Sequence, residues 1–218
     1  MKKKLLAATL IIATLGVLYA LSVGPNYPST IVDNAATGTI AWSNPMNATS
    51  SDAIYAQTAP LSGNPGFSHY LEATNFGFSV PVGAMINGIV IEVQKKWDNT
   101  SAGATLVDSE VKVVKSNGSI GTVNEATTTQ NWPATETYIS YGSSSDLWGE
   151  TWLYSDINNS NFGVVVSAKG TGGGVLGNPT ADIDTFRITV YYTAANGTQN
   201  LQVKTGKLSI LKGKFIIH

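Results

Sequence analysis

The sequence of 218 residues contains no cysteine and only two histidines, His69 and His218. Without cysteine the chain forms no disulfide, no thiolate metal site and no cysteine nucleophile. Chemistry that depends on histidine has few residues to draw on, and the Gly-x-Ser-x-Gly motif of a serine hydrolase does not occur. We therefore expect no enzymatic activity and predict no catalytic residue.

Charged residues are also scarce, at 12% of the chain, which is about half the level of an ordinary soluble protein. The formal net charge is −1, so the electrostatic footprint of a nucleic-acid-binding protein is missing. The charge is unevenly distributed. Residues 23–193 carry six basic and fourteen acidic side chains, whereas residues 194–218 carry four lysines and no acid.

The N-terminus has the pattern of a targeting segment. Lys2, Lys3 and Lys4 precede 19 mostly apolar residues, Leu5–Val23, as in the signal peptide of an exported protein. The small residues at Ala20 and Ser22 suit cleavage after Ser22. An uncleaved anchor is the alternative, because a helix of this length spans roughly 30 Å. Either way the rest of the chain is expected to be extracellular or at the cell surface, with membrane contact only through an uncleaved segment.

After residue 23 no apolar period of helical length is sustained. Short runs rich in Val, Ile, Thr, Tyr and Phe are separated by clusters of Asn, Gly, Ser and Pro, which predicts an all-β fold and specifically a two-sheet, jelly-roll-like β-sandwich. In the run from Ile86 to Lys96, alternation predicts Ile89, Ile91 and Val93 as the inward set. The predicted strands are 38–42, 69–73, 76–80, 86–96, 110–115, 137–141, 162–168 and 183–193.

These patterns divide the chain into four parts: a signal peptide or anchor helix (1–22), a leader or linker (23–36), the sandwich (37–193) and a basic β-strand tail (194–218). A tail this small cannot bury an apolar face of its own. We expect it to add strands to a neighbouring copy of the chain, the alternative being that it folds back on its own sandwich. The apolar residues expected to carry this assembly are Leu201, Val203, Leu208, Ile210, Phe215 and Ile217.

Two ligand sites are predicted. Trp132, beside Pro133 in an irregular loop, is the candidate platform for a ligand such as a sugar ring, whereas the other tryptophans are expected to pack in the core or at its rim. Asp182 and Asp184 open the last strand of the sandwich, and alternation puts both carboxylates on one face, where they are candidate ligands of a structural Ca²⁺. The alternative is that such acids only cap turns or solvate strand ends. No other cofactor is expected.

Asp108 with Glu110 forms a second candidate calcium pair of the same kind, and Asp98 with Asn99 forms a third. The same alternative applies to both pairs, because acids at strand ends are commonly solvated. We therefore do not expect the fold to require a metal at either pair.

The sandwich region also carries a series of short motifs in a fixed order. The motifs are Trp42-Ser43-Asn44-Pro45, Ala73-Thr74-Asn75-Phe76-Gly77-Phe78, Ile86-x-Gly88-Ile89-Val90, Asp146-Leu147-Trp148-Gly149, Phe162-Gly163-Val164 and Ile188 to Tyr192. Taken together they resemble the jelly-roll-like structural modules of tailed-phage virion proteins and of exported surface or filament proteins of bacteria and archaea. The resemblance covers residues 37–193 and implies a non-catalytic, structural or adhesive role.

Three functions follow as hypotheses. The first is a secreted structural subunit of an extracellular filament, tube or surface layer, whose partners are other copies of itself. The second is an adhesive, carbohydrate-binding module of the galactose-binding-like type, whose partners are surface glycans. The third is a structural protein of a phage virion, against which the signal-like N-terminus argues because virion proteins need no export.

Overall fold

The structure, a computed structural model, describes residues 20–61, 65–98, 103–172 and 177–195, together with the backbone of two strands near the C-terminus. The predicted all-β class is confirmed, because strands dominate and the only helices in this part of the chain are short. The elements are β1 (Ala20–Asn26), β2 (Thr30–Asn34), β3 (Trp42–Ser43), a 3-10 helix (Pro45–Ala48), β4 (Ala56–Thr58), β5 (Gly66–Phe67), β6 (Tyr70–Thr74), β7 (Met85–Asp98), β8 (Thr105–Val114), β9 (Thr137–Ser143), α1 (Tyr154–Ile157), β10 (Gly163–Thr171), β11 (Thr180–Thr193), β12 (Leu208–Leu211) and β13 (Lys214–Ile217).

The strands up to residue 193 form two sheets, and every pairing between them is antiparallel. The first sheet has the order β3-β4-β11-β7-β9, with β1 also paired to β11. The second sheet has the order β2-β6-β10-β5, with β8 also paired to β10. The long strands β7 and β11 pair along almost their whole length and form the centre of the first sheet.

One apolar core lies between the two sheets. Ile89, Ile91 and Val93 of β7 are fully buried, as their alternation predicts. The second sheet contributes Leu71 of β6 and Val164 of β10 to the same cluster of side chains. Both sheets therefore turn their apolar faces toward a shared interior, as expected of sheets that pack face to face.

The predicted strand 76–80 is absent from the described part of the chain. Phe76, Phe78 and Val80 are buried in alternation, which explains the strand-like pattern, but the backbone groups of Val80 bond to a side chain. Asn158 accepts from Val80 N at 2.7 Å and donates to Val80 O at 2.9 Å. An amide side chain thus replaces the ladder partner that a strand would require.

The β-rich unit begins earlier than the sequence predicted. It comprises residues 20–195, which we call the β body. Residues 23–36, expected as a leader or linker, contain part of β1 and all of β2, and these strands pair into the first and the second sheet respectively. Their sequence carries little strand signal because β1 contains Gly24 and Pro25 and is mostly exposed.

Residues 1–19, which include most of the predicted signal or anchor helix, lie outside the described residues. Within the part of the chain that the structure describes, no helix combines the length and the apolar content needed to cross a membrane.

The C-terminal strands belong to a separate compact unit. Strands β12 and β13 pair with each other as an antiparallel, two-stranded sheet. The register sets Leu208 opposite Ile217 and Ile210 opposite Phe215, so four of the predicted assembly residues occupy paired positions. The other two, Leu201 and Val203, lie outside the described residues.

Candidate functional site

A buried ion pair connects the two sheets. The alternation that buries Ile91 and Val93 of β7 continues to Lys95, whose side chain points into the interior. Its ammonium nitrogen Nζ contacts Oδ1 of Asp108 on β8. Each residue is only 1% exposed. Because β7 and β8 belong to different sheets, this contact spans the core.

The Asp108 carboxylate is saturated with hydrogen-bond donors. Besides Lys95, Oδ1 accepts from Trp132 Nε1 at 2.7 Å. The other oxygen, Oδ2, accepts from the Tyr141 hydroxyl at 2.8 Å and from Thr127 N at 3.1 Å. The Tyr141 oxygen also contacts Lys95 Nζ, so carboxylate, amine and phenol touch one another. A buried carboxylate requires such partners to offset the loss of its hydration.

Burial alters the protonation of this cluster. It lowers the pKa of Lys95, and the adjacent Asp108 carboxylate opposes that change only in part. Burial raises the pKa of Tyr141, and the Asp108 charge raises it further, so the phenol remains protonated at neutral pH. The site thus combines an amine that loses its proton more easily than usual with a phenol that keeps its own.

A surface recess opens beside the ion pair. Trp132, the predicted stacking platform, contributes to its wall but is only 3% exposed. One face of its ring lies 4.2 Å from Lys95 Nζ, and its indole nitrogen is bonded to Asp108. The expectation of an open platform is therefore corrected, since the ring is packed against the cation. The recess is lined by Lys95, Asp108, Thr127, Gln130, Asn131, Trp132, Pro133 and Ile139.

All five tryptophans are buried, which confirms the prediction for the other four that they pack in the core or at its rim. Trp148, the most deeply buried, donates from Nε1 to Ile89 O at 3.1 Å. A buried indole normally needs such an acceptor. The exposed fractions are 4% for Trp42, 8% for Trp97, 3% for Trp132, 0% for Trp148 and 6% for Trp152.

Asp182 and Asp184, the predicted calcium ligands, are both buried near the start of β11. The register with β7 shifts between Ile183 and Thr185, which places Asp184 in a bulge. Asp182 accepts from Gln57 Nε2 at 2.7 Å, and its Oδ2 lies 3.4 Å from Lys96 Nζ. Oδ2 has no hydrogen-bond partner among the described residues, so its contact with Lys96 is an ion pair only.

Asp184 has weaker partners. Its Oδ1 accepts from Asp52 N at 3.4 Å, while Oδ2 has no hydrogen-bond partner among the described residues. Burial raises the pKa of Asp184, and the charge of Glu136 raises it further. Tyr55 donates a hydrogen bond to Glu136 at 2.5 Å, which raises the pKa of its phenol, and the negative charges of both aspartates raise that pKa further.

In the described part of the chain, no three side chains of the metal-binding types His, Cys, Asp and Glu lie close enough together to hold a metal ion.

The side chains of Asp108 and Glu110, the second candidate calcium pair, point to different surroundings. A register shift between Ser167 and Ala168 of β10 leaves Asp108 turned into the core against Lys95, while Glu110 forms an ion pair with Lys112 at 3.0 Å. Asn99 lies outside the described residues, so the third pair can be placed only through Asp98, which bonds to Lys96 at 3.2 Å.

The sequence prediction missed the Lys95 cluster, although one signal was present. Residue 95 is an even number of positions from Ile89, Ile91 and Val93. The alternation that predicted these three residues to point inward therefore predicts the same for Lys95. Its partners come from three further segments of the chain, and no local pattern connects them.

No protein-family model matches the chain, and searches of curated proteins and of solved structures give no significant match. Function must therefore be argued from the chain's own residues.

Proposed function

We propose that this protein is a secreted structural subunit with a jelly-roll-like body, and that copies join outside the cell by strand addition. One observation carries the proposal. The β body buries its own core, while the basic tail contains a separate strand pair. A two-stranded sheet alone is at best marginally stable in water, so this tail needs a further surface to pack on.

Strand β9 is the acceptor edge that best fits such an addition. It lies at the end of the first sheet, with β7 as its one partner among the described strands. Its seven residues, Thr137–Ser143, include neither a charge nor a proline, the usual devices that protect a sheet edge. By contrast, the outer edge of β8 is covered, because Gly121 N and Glu125 N donate to its carbonyl oxygens.

Charge supports docking of the tail on another copy. Residues 23–193 carry a clear acidic excess, and the tail carries only lysines, namely Lys204, Lys207, Lys212 and Lys214. Opposite charges on two protein surfaces increase the rate of association and make it sensitive to salt. Export through the N-terminal segment would place this assembly outside the cell, where the chain has no disulfide to stabilise it.

Deletion of residues 198–218 tests the proposal. Donation to a neighbour predicts a folded, soluble monomer with an unchanged melting temperature and no filaments or tubes in negative-stain micrographs. A matched variant keeps the tail but replaces its four lysines by glutamine, and it should assemble more slowly and with less dependence on salt. Normal polymers from the truncated chain would contradict the proposal, and a loss of stability would show that the tail folds back on its own body.

A glycan-binding module is the second candidate, and it rests on the recess beside Trp132. Gln130 and Asn131 line its wall and are exposed, so they offer amide groups to a sugar hydroxyl. The burial of the Trp132 ring weakens this alternative, because a side chain that is only 3% exposed leaves no open ring face for a sugar. Glycan binding by dispersed monomers, lost on Asn131→Ala and retained without the tail, would favour it.

A further inference from the structure

The contact between Lys95 and Asp108 brings together a primary amine and a carboxyl group, the two groups from which an amide bond forms. Both are shielded from bulk water. We propose that the two side chains condense, so that an amide bond between Lys95 Nζ and Asp108 Cγ crosslinks the two sheets of the β body. This inference is independent of the assembly proposed above, since it concerns a single chain.

The reaction needs a neutral amine as nucleophile. Burial lowers the pKa of Lys95, which increases the fraction of free amine at neutral pH. Transfer of one proton from the ammonium to the touching carboxylate yields the amine and the carboxylic acid together, because the two groups are already in contact. Both groups reach the reactive form in one step, without solvent.

The carboxyl group is held by donors that would stabilise the reaction's intermediate. Attack of Nζ on Cγ moves negative charge onto a carboxyl oxygen. Trp132 Nε1 and Thr127 N already lie 2.7 Å and 3.1 Å from the two oxygens, and donors fixed in this way stabilise such an oxyanion. The Tyr141 hydroxyl contacts both Nζ and Oδ2, so it can pass a proton from the nitrogen to the departing oxygen.

The step balances without another reactant. The Nζ–Cγ bond forms and one Cγ–O bond breaks. The ammonium begins with three protons, of which one remains on the amide nitrogen and two leave with the carboxyl oxygen as water. Tyr141 ends in its original state, and nothing is oxidised or reduced. The adjoining recess, lined by both reacting residues, gives the water a route to the surface.

The product is also favoured by the surroundings. A buried ion pair retains much of the cost of removing two charges from water, and a neutral amide removes both charges at once. The bond would close a short loop between β7 and β8 and restrict the unfolded chain as a disulfide does. A chain with no cysteine would thereby gain a covalent tie between its sheets.

Mass spectrometry of the folded full chain tests the proposal. We expect the intact protein, after denaturation, to be lighter than its sequence by one water, and a protease digest to contain a branched peptide that joins Lys95 to Asp108. Lys95→Arg should restore the full mass, whereas the neighbouring control Lys96→Arg should not. Tyr141→Phe should slow the mass loss after refolding by at least about tenfold, as expected for a lost proton-transfer group.

Three outcomes would overturn the proposal. The first is a full mass that persists in the folded wild-type chain on prolonged incubation, which would leave an ion pair only. The second is a one-water loss that maps to other residues. The third is an unchanged mass loss in Lys95→Arg. The wild-type measurement decides even if a variant fails to fold, because it requires no substitution.

Discussion

Arg187 on β11 and Glu92 on β7 face each other across the first sheet and share two hydrogen bonds, Nε to Oε2 and Nη2 to Oε1, each of 2.7 Å. The guanidinium carbon also lies 3.8 Å from the ring centre of Tyr138 on the adjacent strand β9. One planar cation thus connects three neighbouring strands on the outer face of the sheet. Only a guanidinium can form the paired bonds and stack on the ring together.

The first prediction concerns this contact. Arg187→Lys keeps the charge but loses one of the paired hydrogen bonds and the stacking on Tyr138. We expect the free energy of unfolding to fall by about 1 kcal/mol, the upper end for a partly exposed ion pair. Urea denaturation measures it. Lys112→Arg, at a single-bonded surface pair, should change stability by less than about 0.5 kcal/mol, and an equal loss in both variants would contradict the argument.

The second prediction compares two glycines that share a positive φ but differ in surroundings. Gly142 has φ +73°, and a Cβ there would lie 2.4 Å from Ile89 O and 2.7 Å from Trp148 Nε1. Gly118 has φ +81° and open space around it. Alanine costs about 1 kcal/mol of backbone strain at either position. At Gly142 it also disrupts the hydrogen bond from Trp148 to Ile89.

We therefore expect Gly142→Ala to destabilise the protein by at least about 2 kcal/mol more than Gly118→Ala, because a clash with backbone in a packed core adds to the strain. Thermal melting monitored by tryptophan fluorescence measures both variants, and Gly142→Ala should also shift the emission of Trp148. Equal melting temperatures for the two variants would contradict this expectation and would show that β9 accommodates a Cβ at Gly142 with no extra loss of stability.

The third prediction is a pH dependence that originates at Asp182. Burial raises the pKa of this carboxyl from 3.8 to about 6; Gln57 and Lys96 oppose the change, and Asp98 reinforces it. The folded chain then binds the proton more tightly than the unfolded chain. The contribution of Asp182 to stability is consequently most favourable below pH 4 and declines as the pH rises from about 4 to about 6.

Asp182→Asn removes this titration and keeps an oxygen that can accept from Gln57. The shift corresponds to at most about 3 kcal/mol, and solvent screening at the partly exposed Lys96 reduces the expected effect to about 1 kcal/mol. The variant should gain that amount relative to wild type between pH 4 and pH 7 in urea denaturation. A constant difference across this range would mean that Asp182 does not titrate there.

Thermal melting of the wild-type protein at pH 7, with excess chelator and with Ca²⁺, tests the calcium hypothesis. That hypothesis requires a lower melting temperature on chelation.

Sequence patterns predicted the parts of the fold that depend on local alternation. Ile89, Ile91 and Val93 point inward because a strand that packs one face on a core must alternate. The pattern failed at residues 76–80, where a side-chain amide of Asn158 replaced a neighbouring strand. A distant asparagine leaves no mark on the local sequence, so this difference could not be foreseen.

The sequence predicts only part of the buried cluster around Lys95 and Asp108. Alternation brings Lys95 inward, but whether that lysine meets an acid depends on the facing sheet, whose register shifts beside Asp108. Asp108 was expected at a calcium pair with Glu110, and the register shift separates their side chains. The pairing arises from two strands in different sheets, and such contacts follow from packing rather than from spacing.

The last prediction concerns where the folded body begins. Cleavage after Ser22 would remove Ala20, Leu21 and Ser22 from β1, and these residues pair with Thr193, Tyr192 and Tyr191 at the end of β11. Cross-strand pairs contribute roughly 0.2–1 kcal/mol each, so a chain that starts at residue 23 should be less stable than one that starts at residue 20 by about 1–2 kcal/mol. Two such chains, each given the same exposed N-terminal extension, can be compared by urea denaturation. If they are equally stable, β1 does not need its first residues and cleavage after Ser22 costs the fold nothing. If the longer chain is more stable, the N-terminus of the natural protein, read by sequencing, should lie at or before Ala20, and a natural N-terminus at Val23 would then contradict the role assigned to these three pairs.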